Sequence, residues 1–201
     1  MPYGRHTAFS FDPAKKDAMM SHLTGQLDMF KGTSGLARIL VAQVTEDRMI
    51  VTAGYDNKEA ADAAAEKARG VRDGMAEFVN GEPVVGEGEV VWSYDVEGTG
   101  SRPVTAGYIR HNGISFDPSK FDAMMSYADT TVDNFKGWSG LRRIRVVRVA
   151  EDRIVVTGVY DSKEAADANA ERARANFAGM AEYMTGEPLV REGDLVWRYD
   201  R

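Results

Sequence analysis

Two histidines offer acid–base chemistry in this chain, and they occupy equivalent places in two similar stretches of sequence. His6 follows Tyr-Gly-Arg and His111 follows Tyr-Ile-Arg. Imidazole titrates close to neutral pH, so it is the usual general base for removing a proton from a substrate. A hydrogen-bonded histidine near the end of a strand is the structural alternative. We predict that His6 and His111 act as bases or contact a ligand.

Aromatic side chains that carry a polar group recur in the same two stretches. Tyr55 and Tyr160 end predicted strands, where a phenol can orient a ligand carbonyl, donate a proton or simply pack its ring. Trp92 and Trp197 lie on later strands, where an indole can stack on a ligand or seal the core. We predict a catalytic role for the two tyrosines and a ligand-binding role for the two tryptophans.

Arginines in both stretches are candidates for binding an anionic group. Arg38 and Arg143 could reach a cavity and bind a carboxylate, although solvated surface is the alternative. Arg5 and Arg110 have the opposite strand parity to the histidines, so we expect them to extend around the helix layer. The second stretch has three further arginines, namely Arg142, Arg145 and Arg148. This excess predicts two unequal sites, one working and one vestigial or structural.

Metal and cofactor chemistry has little support in the composition. The 201 residues include three His and no Cys, which excludes thiolate metal sites, iron–sulfur clusters and a cysteine nucleophile. The third histidine, His22, is replaced by Tyr127 in the second stretch. No glycine-rich phosphate loop follows a predicted strand. We therefore expect neither a metal nor a bound cofactor.

Charge and hydropathy restrict the partners and the compartment. The net charge is -6, which disfavours binding to nucleic acid. No apolar run approaches the ~18 residues of a membrane span, and the first residues lack the apolar region of a signal peptide. We expect a cytoplasmic protein that binds a small molecule and neither nucleic acid nor a membrane.

The candidate residues come in pairs because the chain is a tandem duplication. Residues 3–95 align with residues 108–200 without a gap, at an offset of 105, and most aligned positions are identical. We predict one repeat over residues 1–95 and a second over residues 108–201. The intervening residues 96–107, rich in Gly, Ser and Thr, are predicted to be a linker.

Each repeat has the pattern strand, helix, strand, strand, helix, strand. In the first repeat, the predicted strands are Tyr3–Phe11, Leu36–Val44, Arg48–Tyr55 and Glu89–Tyr94. Apolar residues at helical spacing predict one helix that ends before Gly32 and a long Ala-rich helix that ends before Gly81. This order predicts a ferredoxin-like α+β unit, with an antiparallel sheet covered on one face by two helices. Because the other face is apolar, we expect the two sheets to pack into an intramolecular α/β barrel; two independent units are the alternative.

Particular motifs in both repeats resemble the dimeric α/β-barrel superfamily. They are Gly35-Leu36 at the start of a strand and Tyr55-Asp56-x-x-Glu59-Ala60 at the start of a helix. The chain is most similar to antibiotic biosynthesis monooxygenase-like domains, and next to the stress-responsive A/B-barrel family. The resemblance implies a dimer fused into one polypeptide, which could dimerise further.

The resemblance also implies two candidate functions. One is cofactor-independent monooxygenation or proton transfer on an aromatic or polyketide-like molecule held inside the barrel. The other is a non-catalytic stress-responsive or regulatory module. First-strand histidines act as acid–base catalysts in some A/B-barrel members, and His6 and His111 are similarly placed. Haem-degrading relatives bind iron through a histidine on the second helix, which neither repeat has, so we do not expect haem.

Overall fold

The computed structural model describes residues 1–96 and 107–201, so residues 97–106 of the predicted linker lie outside the described residues. The described chain forms two compact units. Unit 1 contains Met1–Glu89 and Leu195–Arg201, and unit 2 is drawn from Val90–Asp194. The last strand of each repeat is therefore shared, with its first part in one unit and its end in the other.

Unit 1 alternates strands and helices in the predicted order. Its strands are β1 (Tyr3–Phe11), β2 (Leu36–Thr45), β3 (Arg48–Tyr55) and the first part of β4 (Val79–Asp95). Its helices are α1 (Lys16–Gly25), α2 (Leu27–Lys31), α3 (Lys58–Lys67) and α4 (Arg69–Met75). Each predicted long helix is thus broken into two shorter ones.

Unit 2 repeats this order, except that a 3-10 helix, Val132–Phe135, stands where unit 1 has α2. Its strands are β5 (Tyr108–Ser115), β6 (Leu141–Ala150), β7 (Arg153–Tyr160) and the first part of β8 (Leu189–Asp200). Its helices are α5 (Phe121–Thr130), α6 (Lys163–Ala168) and α7 (Ala170–Gly179). The strands hydrogen-bond in the order β1-β3-β2-β8-β5-β7-β6-β4, which closes an antiparallel barrel and confirms the predicted α+β fold class. Within the described residues, no helix is long and apolar enough to cross a membrane.

Strand β4 begins earlier than the sequence pattern predicts. The predicted start was Glu89, whereas the strand starts at Val79 because its first half pairs antiparallel with β1. In this register Arg5 lies directly opposite Glu87, and Phe11 lies opposite Val79. The early start therefore adds residues of β4 to the sheet that carries the first strand.

The register of unit 1 assigns alternate residues of β1 to the two faces of the sheet. Arg5 lies opposite Ala53 and Thr7 lies opposite Val51, and these residues face the helices. His6 lies opposite Thr52, so both side chains are on the other face. This alternation decides which candidate residues can share a site.

Close contact between helix α3 and the turn before β2 requires a glycine. Gly35 has a φ of 74°, and a Cβ atom there would lie 2.4 Å from the Cβ of Ala60. The equivalent Gly140 has a φ of 71°, and its Cβ would lie 2.5 Å from that of Ala165. Glycine adopts this left-handed backbone at little cost and leaves room for the helix.

Candidate functional site

A cavity of about 670 Å³ lies between the sheet and the helices of unit 1. Its volume is within the roughly 300–1,000 Å³ that is usual for small-molecule sites. Large apolar side chains form much of the wall, namely Phe9, Leu23, Phe30, Ile39, Val41, Val51, Met75 and Trp197. The cavity therefore suits a ligand that is mainly apolar.

The cavity is open because the helices above it carry short side chains. Ala65 on α3, Ala68 between α3 and α4, and Ala76 after α4 all line it. A methyl group does not reach across the space between a helix and a sheet, whereas a leucine or a phenylalanine would. The equivalent alanines of unit 2, Ala170, Ala173 and Ala181, likewise line an open space, the groove beside α7.

Two charged residues and a tyrosine form a polar corner in this apolar wall. The Nε of Arg5 donates a hydrogen bond to Glu87 Oε2, its cross-strand neighbour. The guanidinium carbon of Arg5 lies 5.8 Å from the ring centroid of Tyr55. Arg5 and Glu87 are the only charged residues among the described side chains that line the cavity. Such a corner can orient the polar end of an apolar ligand.

The phenol of Tyr55 is protonated at neutral pH. Burial raises the pKa of Tyr55, and the nearby Arg5 opposes this rise only in part. The side chain is buried, yet it lines the cavity. Tyr55 can therefore donate a hydrogen bond to a ligand oxygen, as its predicted role requires.

Trp197 forms an aromatic part of the same wall. Its Nε1 donates a hydrogen bond to Thr24 Oγ1 at 3.2 Å, which fixes the indole. Its ring meets Phe30 edge to face, with the centroids 5.6 Å apart. The predicted tryptophan and the predicted tyrosine are therefore brought together in one cavity.

In unit 2 the equivalent cleft is divided into two parts. A small cavity of about 80 Å³ lies under the helices, and an open groove of about 860 Å³ lies beside α7. Four side chains line both spaces and so separate them, namely Arg110, Asn112, Ala173 and Phe177. The small cavity is far below the volume of a usual ligand site.

An extra aromatic side chain lines the small cavity of unit 2. Trp138 occupies the position of Thr33 in the repeat alignment, and only 5% of it is exposed. It packs edge to face on Phe135, with the centroids 5.0 Å apart. Phe135 also contacts Trp92, whose Nε1 donates to Asp129 Oδ1 at 2.9 Å. In unit 2 the predicted Trp92 therefore belongs to an aromatic core.

Tyr160 and Arg110 line the small cavity of unit 2, as Tyr55 and Arg5 line the large cavity of unit 1. Burial raises the pKa of Tyr160. Arg110 binds Glu192 through its Nε, and its other nitrogens lie 3.6 Å from Asp167 Oδ1 and 3.5 Å from the Ala166 carbonyl oxygen. The guanidinium of unit 2 is thus tied to α6, which leaves it less able to bind a ligand.

The two histidines lie on the sheet face that points away from these spaces. His6 is 8% exposed and His111 is 4% exposed, and neither lines the three cavities described above. His6 Nδ1 lies 3.2 Å from Thr52 Oγ1. Burial lowers the pKa of His6 to about 4, so its imidazole is neutral at pH 7 and a weak base. The sequence places the ligand on the histidine face, whereas the large cavity is on the opposite face.

Arg38 and Arg143 are held by carboxylates of the protein. Arg38 Nε lies 3.2 Å from Asp200 Oδ1, and Arg143 Nε lies 3.9 Å from Asp95 Oδ1. Burial raises the pKa of Asp200, although Arg38 opposes this effect. Neither arginine lines the cavities described above. A ligand carboxylate would have to displace these internal partners.

The two charged residues that reach the large cavity, Arg5 and Glu87, are not among the site residues predicted from the sequence. The alternation of residues along the first strand correctly predicts that Arg5 lies on the helix side of the sheet, but it does not predict which residue Arg5 binds. The partner was missed because β4 was expected to begin at Glu89. A signal was present, since the pair recurs as Arg110 and Glu192 at the same offset of 105. Within the described residues, no group of three His, Cys, Asp or Glu side chains could hold a metal ion.

Comparisons with known proteins identify the fold. No family model and no curated protein matches the sequence. A proposed monooxygenase from Fusobacterium nucleatum has a TM-score of 0.78 at 11% identity, covering 100% of this chain and 94% of that chain. An anthrone oxidase-like protein has a TM-score of 0.70 at 15% identity, covering 99% of this chain and 93% of that chain.

A third structure belongs to the same group. It is a ferredoxin-fold protein related to antibiotic biosynthesis monooxygenases from Listeria monocytogenes, with a TM-score of 0.54 at 10% identity, covering 96% of each chain. The resemblance predicted from the sequence motifs is therefore confirmed for the fold. At such identities the likeness says nothing about activity, which depends on the site residues.

Proposed function

We propose that this chain, which has the fold of antibiotic biosynthesis monooxygenase-like proteins, binds a small aromatic or polyketide-like molecule in the cavity of unit 1. The main support is the cavity itself, about 670 Å³ of mainly apolar space with one polar corner. The groove of about 860 Å³ in unit 2 is lined by the equivalent pair, Arg110 and Glu192, but Phe177 is the only aromatic residue among its described lining residues, so unit 1 is the better site for an aromatic ligand.

The wall of the cavity indicates the chemistry of the ligand. Phe9, Phe30 and Trp197 offer faces and edges for aromatic rings. Arg5 and Tyr55 are hydrogen-bond donors at one corner, so the ligand should carry an acceptor oxygen there, such as a ketone. A fused-ring aromatic ketone has both features.

The finer proposal is that the bound ketone is oxidised by dioxygen without a cofactor. Donors at the ketone oxygen favour loss of a proton from a C–H that is conjugated with the ketone, because the negative charge then develops on that oxygen. The name of the anthrone oxidase-like neighbour suggests anthrone as a test substrate. Anthrone and one dioxygen would give anthraquinone and one water, which balances without any other reactant.

Ligand binding can be tested with 1-aminoanthracene, a fluorescent three-ring probe. We expect saturable binding at one site per chain, with energy transfer from Trp197 to the probe. Trp197→Phe should remove most of this transfer. The matched change Trp92→Phe in unit 2 should leave both binding and transfer nearly unchanged. Binding that is abolished by Trp92→Phe alone, or no saturable binding, would contradict the proposal.

The alternative is a non-catalytic regulatory module, and the divided cleft of unit 2 favours it because the part under the helices, about 80 Å³, is too small for a substrate. Anthrone consumption and oxygen uptake distinguish the two functions. Binding without oxygen uptake supports the module, whereas uptake that stops when the cavity is blocked supports the enzyme. The homodimer expected from the sequence stays a prediction, which light scattering after gel filtration can test.

A further inference from the structure

We propose that Glu87 accepts a proton from a C–H group of the bound ketone, and that Arg5 stabilises the anion that forms. This inference rests on the proposed function, since it concerns the same cavity. It assigns the base to a residue on β4 rather than to the histidines of the first strands.

The first support is the arrangement of the Glu87 carboxylate. Its Oε2 accepts a hydrogen bond from Arg5 Nε, which orients the group at the cavity wall. Glu87 forms no other hydrogen bond or ion pair within the described residues, so Oε1 has no protein partner. The side chain is 34% exposed, which leaves this oxygen accessible to a ligand.

The second support is the difference between the two repeats. Arg110 is held by Asp167 and by the carbonyl oxygen of Ala166 in addition to Glu192. Arg5 has only Glu87 as an ion-pair partner within the described residues, and its guanidinium lies beside Tyr55. The Arg5 side chain is thus able to share its remaining N–H groups with an oxygen of the ligand.

The third support is that no other base lines the cavity. Its described wall contains no histidine and no carboxylate besides Glu87. His6 lies opposite Thr52, on the other face of the sheet. A proton released inside the cavity therefore has one carboxylate within its wall to accept it.

The proposed step conserves atoms and charge. In anthrone, a C–H bond of the methylene carbon breaks, and its electron pair forms a carbon–carbon double bond to the adjacent ring carbon. The conjugated π electrons shift through that ring to the carbonyl oxygen, which becomes the anionic oxygen of an enolate beside Arg5 and Tyr55. The proton forms an O–H bond with Glu87. No oxidant takes part, so this step proceeds without dioxygen.

Deuterium exchange at the methylene carbon of anthrone isolates this step. In deuterated buffer without oxygen, the wild-type protein should exchange these protons faster than buffer alone, as followed by NMR. General-base groups contribute about 100-fold or more, so Glu87→Gln should slow the protein-dependent exchange by about that factor. The matched change Glu192→Gln in unit 2 should leave the rate unchanged.

Binding of 1-aminoanthracene, measured in parallel, separates the two proposals. Exchange lost in Glu87→Gln with binding retained supports Glu87 as the base. Equal exchange in Glu87→Gln and the wild type, or binding without any wild-type exchange, would overturn this inference and leave the binding proposal standing. No binding by the wild type would refute the binding proposal itself. If Glu87→Gln does not fold, Glu87→Asp keeps the charge but shortens the reach, and it should show slower exchange with intact binding.

Discussion

Phe30 and Phe135 provide a direct comparison of the single cavity of unit 1 with the divided cleft of unit 2. They occupy equivalent positions in the two repeats, and both are at most 9% exposed. Phe30 borders the large cavity and contacts the rings of Trp197 and Tyr199. We expect Phe135→Ala to lower the free energy of unfolding more than Phe30→Ala does.

The magnitude follows from what each ring contacts. Phe135 lies within 5.0–5.9 Å of three aromatic rings, and its removal leaves a new void in a packed core. Phe-to-Ala changes in such cores cost about 3–5 kcal/mol. Phe30 contacts two rings, and its removal only enlarges an existing space, so a loss of about 2–3 kcal/mol is expected. The difference should therefore be about 1–2 kcal/mol.

Thermal unfolding of the two variants tests this difference. For a chain of this length, 1 kcal/mol corresponds to roughly 2–4 °C in the melting temperature. Phe135→Ala should therefore melt several degrees below Phe30→Ala, while only Phe30→Ala should weaken binding of 1-aminoanthracene. Equal losses of stability, or a larger loss in Phe30→Ala, would mean that the cavity of unit 1 is closed in solution and would refute the reasoning.

Three further predictions concern the framework around the site. Burial lowers the pKa of His6 from 6.5 to about 4, so the folded state binds fewer protons than the unfolded state, and the free energy of unfolding should fall by roughly 3 kcal/mol as the pH drops from 6.5 to 4. Denaturation of His6→Gln at several pH values should show a flatter dependence on pH, and an unchanged dependence would exclude His6 as the cause. Gly35→Ala should destabilise more than Gly81→Ala, because both have a positive φ but only at Gly35 would the new Cβ meet Ala60; equal melting temperatures would count against this packing. Burial raises the pKa of Asp200, so the contribution of this carboxyl group to the free energy of unfolding is present at low pH and is lost as the pH rises through the raised pKa. The stability of Asp200→Asn relative to the wild type should therefore increase between pH 3.5 and 7, and a constant difference would be inconsistent with a raised pKa.

Much of the fold follows from patterns that are local in the sequence. Alternation and the apolar content predict Tyr3–Phe11 and Arg48–Tyr55 with the bounds that the structure has. The offset of 105 then extends each assignment to the second repeat. The parity of β1 also places His6 and Arg5 on opposite faces of the sheet, as observed.

The early start of β4 was not predictable from local pattern. Gly81 and Pro83 are typical of a turn, and they lie at an irregularity in the pairing with β1; the segment is nevertheless a strand because the residues on both sides of them, up to Asn80 and from Val84, pair with β1. Such pairing is a contact between distant parts of the chain. Without it, the register that brings Glu87 to Arg5 could not be derived.

The position of the cavity also depends on packing rather than on pattern. An alanine such as Ala68 is typical of a helix whether the space beneath the helix is filled or empty. The sequence around it does not reveal whether larger residues from other elements fill that space. In unit 2 the equivalent Ala173 borders both the small cavity, which Trp138 also lines, and the open groove, whereas in unit 1 there is one cavity. The resemblance implies a ligand inside the barrel, whereas the cavity of unit 1 lies on the helix side of the sheet, opposite to the face that carries His6.

The central claim is that one aromatic ligand binds in the cavity of unit 1 and none in the aromatic core of unit 2. A crystal structure of the protein soaked with 1-aminoanthracene tests this most directly. We predict electron density for one probe per chain, against Trp197 and Tyr55, with its amine close to Glu87. Density next to Trp92 or Trp138 instead, or an empty unit 1 cavity at a saturating probe concentration, would contradict the claim.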